Sequence, residues 1–284
     1  MSSHAPGLEQ LKDAGVPPWL IATWQRLMDE LAALGSAVVA YSGGVDSTFL
    51  AWAARQALGD RMLAVTVDNG LDPQAQVLAA ETQARQLGIP QRIIRIDGLA
   101  VQGIRENPPD RCYHCKATLL GQIHALARAE GFAAVVEGQN LDDESDYRPG
   151  RRAVRESGTH TPLAGLGLTK ADVRALSQAF GLPVWDIPSS PCLASRVPYG
   201  TPLDASLLGQ IEQAEALLHS LGFRQVRVRH HGNLARIEVP AADIPALLQH
   251  TEAVSRAFRA LGFQYTCVDL QGYRTGSMNE GLVR

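Results

Sequence analysis

The sequence predicts an α/β protein: a doubly wound parallel sheet followed by a smaller α+β domain. Three observations carry this. Short apolar runs of strand length alternate with amphipathic segments as far as residue 140 or so. A Ser-Gly-Gly-x-Asp-Ser turn separates the first run from the segment that follows it. From residue 204 the string becomes α-β-β-α-β with short loops.

Residues 8–34 read as one or two helices leading into a buried strand, Ala37–Tyr41. Ser42 to Ser47 form the turn, and Thr48–Leu58 has apolar residues at helical spacing. Met62–Val67 is a second strand ending at Asp68-Asn69-Gly70, and Pro73–Leu87 is a helix stopped by Gly88. Gln91–Ile96 is a third strand, and a helix from Asp110 to about Glu130 leads to a fourth, Phe132–Val136. Residues 141–168 read as an irregular, charged loop with Arg148, Arg151, Arg152 and Arg155 as a possible phosphate lid. Thr169 caps a helix over 170–180, and the Pro/Ser/Gly-rich stretch around Cys192 predicts no regular structure. Helix 205–221, strands 223–229 and 234–239, helix 241–261 and strand 263–270 complete the chain. The expected division is a domain over 1–200 and a second over 201–284, the latter serving substrate binding and oligomerisation.

With 284 residues and 45% apolar content the chain can bury one large core or two smaller ones. A net charge of −3 gives no global basic field to recruit nucleic acid. Only three of the 26 basic residues are lysines: Lys12, Lys116 and Lys170. The N-terminal residues lack a basic and an apolar signal region, and no apolar run reaches membrane-spanning length, so a cytoplasmic protein is expected. In that compartment its four cysteines are thiols, ligands or catalysts rather than disulfides.

The turn carries the chemistry. Paired glycines let backbone approach a ligand closely, two serine hydroxyls add donors, and a helix start favours an anion. Asp46 places a carboxylate beside the bound phosphates, which a cation must bridge, so Mg²⁺ is implied. The glycine-lysine pattern of γ-phosphate-transferring loops is absent from this turn. Asp68, Gly138 and Asn140 fall at the carboxyl ends of the second and fourth strands, where doubly wound sheets bind ligands.

Cys112 and Cys115, three apart, share one face at the start of a helix, with Arg111 and Lys116 beside them to favour thiolate. Cys-x-x-Cys alone serves redox pairs, zinc half-sites and iron–sulfur half-sites; His114 or His124 would have to join it for zinc. Cys192 lies in the Pro/Ser loop, and Cys267 reads as a core residue of the last strand. Two close cysteines and one distant cysteine suit a 4Fe–4S cluster held by three thiolates, leaving one iron open.

The Ser42–Ser47 motif resembles that of the PP-loop ATP pyrophosphatases, which cleave ATP between its α and β phosphates and attach AMP to an acyl oxygen. Taken with Glu137-Gly-Gln-Asn-Leu-Asp-Asp143, Arg148-Pro-Gly150, Pro191-Cys-Leu-Ala-Ser-Arg196, Pro198-Tyr-Gly200, Arg227-Val-Arg229 and Gly272-Tyr-Arg-Thr-Gly-Ser-Met278, the whole chain resembles the LarE group. These are ATP-dependent sulfur transferases that build the nickel-pincer cofactor of lactate racemase. The resemblance implies adenylation of the carboxylates of pyridinium-3,5-biscarboxylic acid mononucleotide and displacement of AMP by sulfur. Three-cysteine members hold a 4Fe–4S cluster, whereas single-cysteine members sacrifice the sulfur of the residue matching Cys192.

The roles so implied are pyrophosphate binding for Ser42, Gly43, Gly44 and Ser47, Mg²⁺ for Asp46, and adenosine for Asp68, Gly138 and Asn140. Cys112, Cys115 and Cys192 hold the cluster or, without one, Cys192 donates sulfur. Arg196, Arg227 and Arg229 meet the substrate's phosphate and carboxylates; 227 and 229 share a strand face, and Glu215 orients one arginine. A homo-oligomer, a hexamer by resemblance, is expected, with no nucleic-acid or membrane partner. A tRNA thiolase of the same superfamily and a nonenzymatic zinc- or nucleotide-binding module are the competing readings.

Overall fold

The computed structural model describes residues 7–144, 149–188 and 191–274. Two compact units share the chain. The first comprises residues 1–69, 74–97 and 110–189, and the second 70–73, 98–109 and 190–284, so the chain passes between them several times rather than dividing at one residue.

In the first unit, helices α1 (Leu8–Asp13) and α2 (Pro18–Ala33) precede strand β1 (Ala37–Ala40). There follow α3 (Val45–Leu58), β2 (Met62–Asp68), α4 (Gln74–Gln86), β3 (Gln91–Arg95), α5 (Arg111–Ala129) and β4 (Ala134–Glu137). The four strands are parallel in the order β3-β2-β1-β4, with Ala37 opposite both Met62 and Ala134. A strand buries alternate residues on opposite faces, and the core divides accordingly. Ala37, Val39, Met62, Ala64 and Val136 pack with α2 and α3, while Val38, Val65 and Val135 pack with Ile123 and Ala127 of α5.

The stretch expected to be irregular is partly helical, with α6 (Gly150–Ser157) and α7 (Pro162–Gly165). Its alternating arginines obscured α6, whose apolar side is only Ala153 and Val154. Helix α8 (Lys170–Ala179) begins at a capping box: the Thr169 hydroxyl accepts from the Asp172 amide and the Asp172 side chain accepts from the Thr169 amide. Its far end is held by Phe180, whose ring lies 4.8 Å from Trp24 and 4.6 Å from Trp52. That aromatic group fastens α8 to the same α2–α3 layer that carries the glycine turn.

The second unit holds α9 (Ala205–Ser220), β5 (Arg227–His231), β6 (Leu234–Glu238), α10 (Ile244–Leu248), α11 (Thr251–Ala260) and β7 (Tyr265–Val268). Strands β5 and β6 are antiparallel and β6 and β7 parallel, in the order β5-β6-β7. The expected single helix over 241–261 is split at Gln249 and His250. The expectation of a buried Cys267 is corrected: it is exposed, because β7 is the edge strand and turns residues 265 and 267 outward. Among the described residues no helix is long and apolar enough to cross a membrane.

Candidate active site

Helix α3 starts at Val45, three residues earlier than expected, so Asp46 and Ser47 belong to its first turn. The turn before it is stapled by serines. Ser47 Oγ lies 3.0 Å from Ser42 Oγ, accepts from the Ser42 amide at 3.2 Å and donates to the Gly44 carbonyl at 3.1 Å. Gly43 has φ +75°, and a Cβ there would meet Ala80 Cβ of α4 at 2.7 Å. Only glycine satisfies both conditions. Gly138 matters for another reason: a Cβ there would come within 2.9 Å of the Asp46 carbonyl carbon and the Ser47 amide. The end of β4 thus closes directly on the turn, and the helix-start amides stay available to an anion.

Asp46 is largely buried, and Lys170 of α8 sits on its Oδ2. Burial pushes the carboxyl up from its ordinary range; Lys170 holds it down, Asp143 opposes that, and the Asn140 amide assists weakly. Oδ1 is buried with no partner in hydrogen-bonding geometry. An orphan carboxylate oxygen at a phosphate turn is what a hard cation takes, so the residues fit Mg²⁺. Asn140 is spent on structure as well: its Oδ1 accepts from the amides of Asp142 (3.0 Å) and Asp143 (3.3 Å). Asp68, 9% exposed at the end of β2, lies 3.7 Å from Arg95. Lys170 escaped the sequence reading because nothing local ties residue 170 to residue 46. Its scarcity in an arginine-rich chain was the available signal.

Cys112 and Cys115 occupy the first turns of α5 as expected, although Asp110 turns its carboxylate to His114 (3.4 Å) instead of capping. Each sulfur faces a donor: Asn69 Nδ2 lies 3.3 Å from Cys115 Sγ, and Arg111 Nη2 lies 3.9 Å from Cys112 Sγ. Asn69 was missed, since Asp-Asn-Gly reads as a turn. Lys116, expected to favour the thiolates, instead pairs with the buried Glu137 at 2.5 Å. Helix α6 backs this turn, with Gly150 against the Cys112 carbonyl, Arg152 stacked 3.6 Å over the Tyr113 ring and Glu156 on the Tyr113 hydroxyl. Arg152 therefore braces the cysteines rather than reaching for phosphate, and Arg148 lies outside the described residues. His124 turns to Thr159, and among the described residues no three His, Cys, Asp or Glu side chains stand together in metal-holding geometry. The donors on both sulfurs fit an iron–sulfur half-site.

In the second unit, residues 191–200 of the Cys192 stretch are held by a set of hydrogen bonds. The Cys192 carbonyl accepts from the Ser195 amide (3.0 Å), the Ser195 hydroxyl (2.8 Å) and Arg196 Nη1 (2.9 Å). Asn107, fully buried at φ +53°, donates to the Pro198 carbonyl at 2.9 Å and receives the Gly200 amide. Arg196, 1% exposed, forms a two-pronged pair with Glu215. It shapes the loop from inside, so the expectation that it meets substrate anions gives way to a positioning role; the pairing of Glu215 with an arginine appears as expected. Arg229 joins Glu238 (2.7 Å) and the Ser195 carbonyl (2.9 Å). Arg227 is buried on the same strand face beside Tyr273, and burial together with Arg196 pushes its guanidinium down from its ordinary value. Of the tail motif, residues 275–278 lie outside the described residues.

The sequence model of the NAD synthase family matches residues 23–113, the segment that holds the glycine turn and ends one residue past Cys112. A pyridinium-3,5-bisthiocarboxylic acid mononucleotide synthase of Lactiplantibacillus plantarum is 39% identical over 91% of this chain and 94% of its own. The chain belongs to this synthase family, the LarE-type sulfur transferases. An uncharacterized protein of Synechocystis sp. is 40% identical over 92% of this chain and 98% of its own. A tRNA-5-methyluridine(54) 2-sulfurtransferase of Pyrococcus horikoshii is 31% identical over 39% of this chain and 36% of its own. Family membership accords with the parallel sheet and glycine turn, the parts of the fold that bind nucleotide.

Proposed function

We propose that this protein is an ATP-dependent sulfur transferase that converts pyridinium-3,5-biscarboxylic acid mononucleotide to its thiocarboxylates. The observation that carries the reading is the near full-length similarity to the Lactiplantibacillus synthase, in both chains. The Ser42–Ser47 turn holds the β and γ phosphates, and Asp46 Oδ1 supplies the protein oxygen to Mg²⁺. Asp68, Gly138 and Asn140 border the adenosine. A substrate carboxylate oxygen attacks the α phosphorus; the new P–O bond forms as the α–β bond breaks, and pyrophosphate leaves with the electron pair. A sulfur nucleophile then attacks the acyl carbon, and the C–O bond to AMP breaks with its electrons going to AMP. The guanidiniums of Arg196, Arg227 and Arg229 outnumber the carboxylates of Glu215 and Glu238, which favours an anionic substrate near the two strand arginines.

In this reading Cys112, Cys115 and Cys192 provide the thiolates for a 4Fe–4S cluster. When bound, such a cluster offers an open iron able to carry the sulfide to be transferred. The first unit acts as the adenylation domain, and the second, whose longest segment begins at residue 190, serves substrate binding and assembly into a homo-oligomer, a hexamer by family.

Pyrophosphate release and product mass are measured with ATP and the pyridinium substrate under anaerobic conditions. Iron and sulfide are assayed in wild type, Cys112→Ala and Cys192→Ala. Substrate-dependent pyrophosphate with a mass gain of one sulfur-for-oxygen exchange per carboxylate is expected, and both variants should lose iron. A reconstituted wild type that never binds iron removes the cluster, and an enzyme that loses the Cys192 sulfur is a sacrificial donor. Tight, salt-sensitive binding of bulk tRNA without pyridinium-dependent turnover would replace this reading with the tRNA thiolase.

A further inference from the structure

Among the described residues Asn107 alone of the non-glycines has a positive φ, +53°, and it is fully buried. That backbone is strained for any residue with a side chain, and asparagine and aspartate tolerate it best. Strain of this kind persists only where the surroundings hold it, and here the bonds that hold it are specific. The Asn107 carboxamide donates to the carbonyls of Pro198 (2.9 Å) and Val197 (3.4 Å), and its backbone carbonyl accepts from the Gly200 amide at 2.8 Å. Two residues earlier, the Arg105 carbonyl accepts from the Leu203 amide at 2.7 Å. At the near end of the same stretch, the carbonyl of the buried Leu71 accepts from the Leu193 amide at 2.7 Å. The two short pieces that the second unit takes from earlier chain, 70–73 and 98–109, thus each fasten the stretch that follows Cys192. Leu193, Ala194 and Val197 are buried between these bonds, while Cys192 is half-buried.

Resting on the sulfur-transfer reading for what Cys192 does, we propose that Asn107 is a positioning residue for the Cys192 sulfur: its left-handed backbone and its carboxamide together hold residues 197–200 and so keep the cysteine presented for transfer. Two demands meet at this position. A left-handed backbone alone would select glycine, which has no donors to offer the two carbonyls. Aspartate would keep the backbone but set a carboxylate, which only accepts, against the oxygens of Val197 and Pro198. Asparagine meets both demands. Arg196 acts on the same stretch by a different route, holding the Cys192 carbonyl from inside. The consequence for the reaction falls on its second step. An acyl-adenylate that sulfur does not capture is open to water, which attacks the acyl carbon; the C–O bond to AMP breaks, its electrons go to AMP, and the carboxylate returns. A displaced Cys192 therefore lets ATP be consumed without thiocarboxylate being made.

The test compares the full-length wild type with Asn107→Gly, which keeps the backbone and removes the carboxamide, and with Asn107→Asp; circular dichroism and melting show which variants fold. Thiocarboxylate formed per pyrophosphate released is measured with ATP and the pyridinium substrate under anaerobic conditions. This yield should fall about tenfold in both variants, the effect of displacing a reacting group by a fraction of an ångström, while pyrophosphate release falls far less. Iodoacetamide labelling of Cys192 is followed in a chain with Cys112, Cys115 and Cys267 changed to serine. It should run about fivefold faster in both variants, because a stretch held by fewer hydrogen bonds opens more often. Folded variants with the wild-type yield and the wild-type labelling rate would overturn the proposal. A glycine variant that does not fold would also overturn it, making Asn107 a support of the whole unit. The labelling needs neither nucleotide nor substrate, so faster labelling in the variants, together with a wild type that makes no thiocarboxylate, would sink the sulfur-transfer reading and leave Asn107 its hold on Cys192.

Discussion

Arg196 and Glu215 form a two-pronged ion pair, Nε to Oε1 at 2.9 Å and Nη2 to Oε2 at 2.8 Å, and the remaining guanidinium nitrogen holds the Cys192 carbonyl. The pair is buried, so breaking it strands a charge. Glu215→Ala should cost about 3–5 kcal/mol, the usual penalty for removing one partner of a buried pair. Urea denaturation measures this, and Cys192 should alkylate faster as its loop loosens. Unchanged stability together with unchanged Cys192 reactivity would show that the pair does not hold the loop.

Gly138 lies so close to the phosphate turn that a methyl group must move it. A Gly138→Ala substitution places its Cβ 2.9 Å from the Asp46 carbonyl carbon and Ser47 amide, both backbone atoms with little room to yield. The helix start would shift by a fraction of an ångström. A misplacement of about 1 Å costs on the order of 100-fold in rate, so a fraction of that should cost roughly tenfold. ATP-dependent pyrophosphate release should fall accordingly, with a much smaller change in melting temperature. A variant with normal turnover would mean that the turn tolerates displacement.

Much of this was legible in the chain and some was not, for physical reasons. Buried parallel strands announce themselves as apolar runs, and Ser-Gly-Gly-x-Asp-Ser marks the phosphate turn by chemistry that few other turns require. Partners distant in sequence leave no such mark: Lys170 reaches Asp46 across 124 positions and Asn69 reaches Cys115 across 46. The Cys192 stretch looked irregular because Pro, Ser and Gly exclude regular structure. Side-chain donors nevertheless hold its described part: Arg196 fixes the Cys192 carbonyl and Asn107 the Pro198 carbonyl. Cys267 shows the converse error, since alternation cannot tell an inward strand face from an outward one at a sheet edge.

Cys267 should be dispensable. Its thiol is pushed up from the ordinary value of 9.0 by partial burial, with Arg236 pulling down and Asp269 pushing up. The thiolate is the reactive form, so at neutral pH this exposed thiol reacts slowly. In a protein lacking the other three cysteines, alkylation should rise about tenfold for each pH unit and level off only above that ordinary value. Cys267→Ala should leave pyrophosphate release and iron content unaltered. Loss of either would give the residue a role that its place on the edge strand does not suggest.

Asn69 offers the sharpest test of the Cys112–Cys115 turn. Its amide N–H points at Cys115 Sγ from 3.3 Å, and the residue is 3% exposed, so water does not readily replace the bond. Without such a donor the sulfur is less firmly oriented toward a bound metal. Outer partners of this kind typically account for 10–100-fold in metal affinity. Asn69→Ala should therefore release iron to a chelator about 10–100-fold more readily than wild type after anaerobic reconstitution. Asn69→Ser, which keeps a polar group but shortens its reach, should fall between the two. The control is Arg111→Lys, a change at the longer 3.9 Å contact to Cys112, where a smaller effect is expected. Equal iron retention in all three variants would mean that the sulfurs are held by something other than these donors. A wild type that takes up no iron would instead assign the Asn69 contact to a free thiol, and the same variants would then change only the rate at which Cys115 is alkylated.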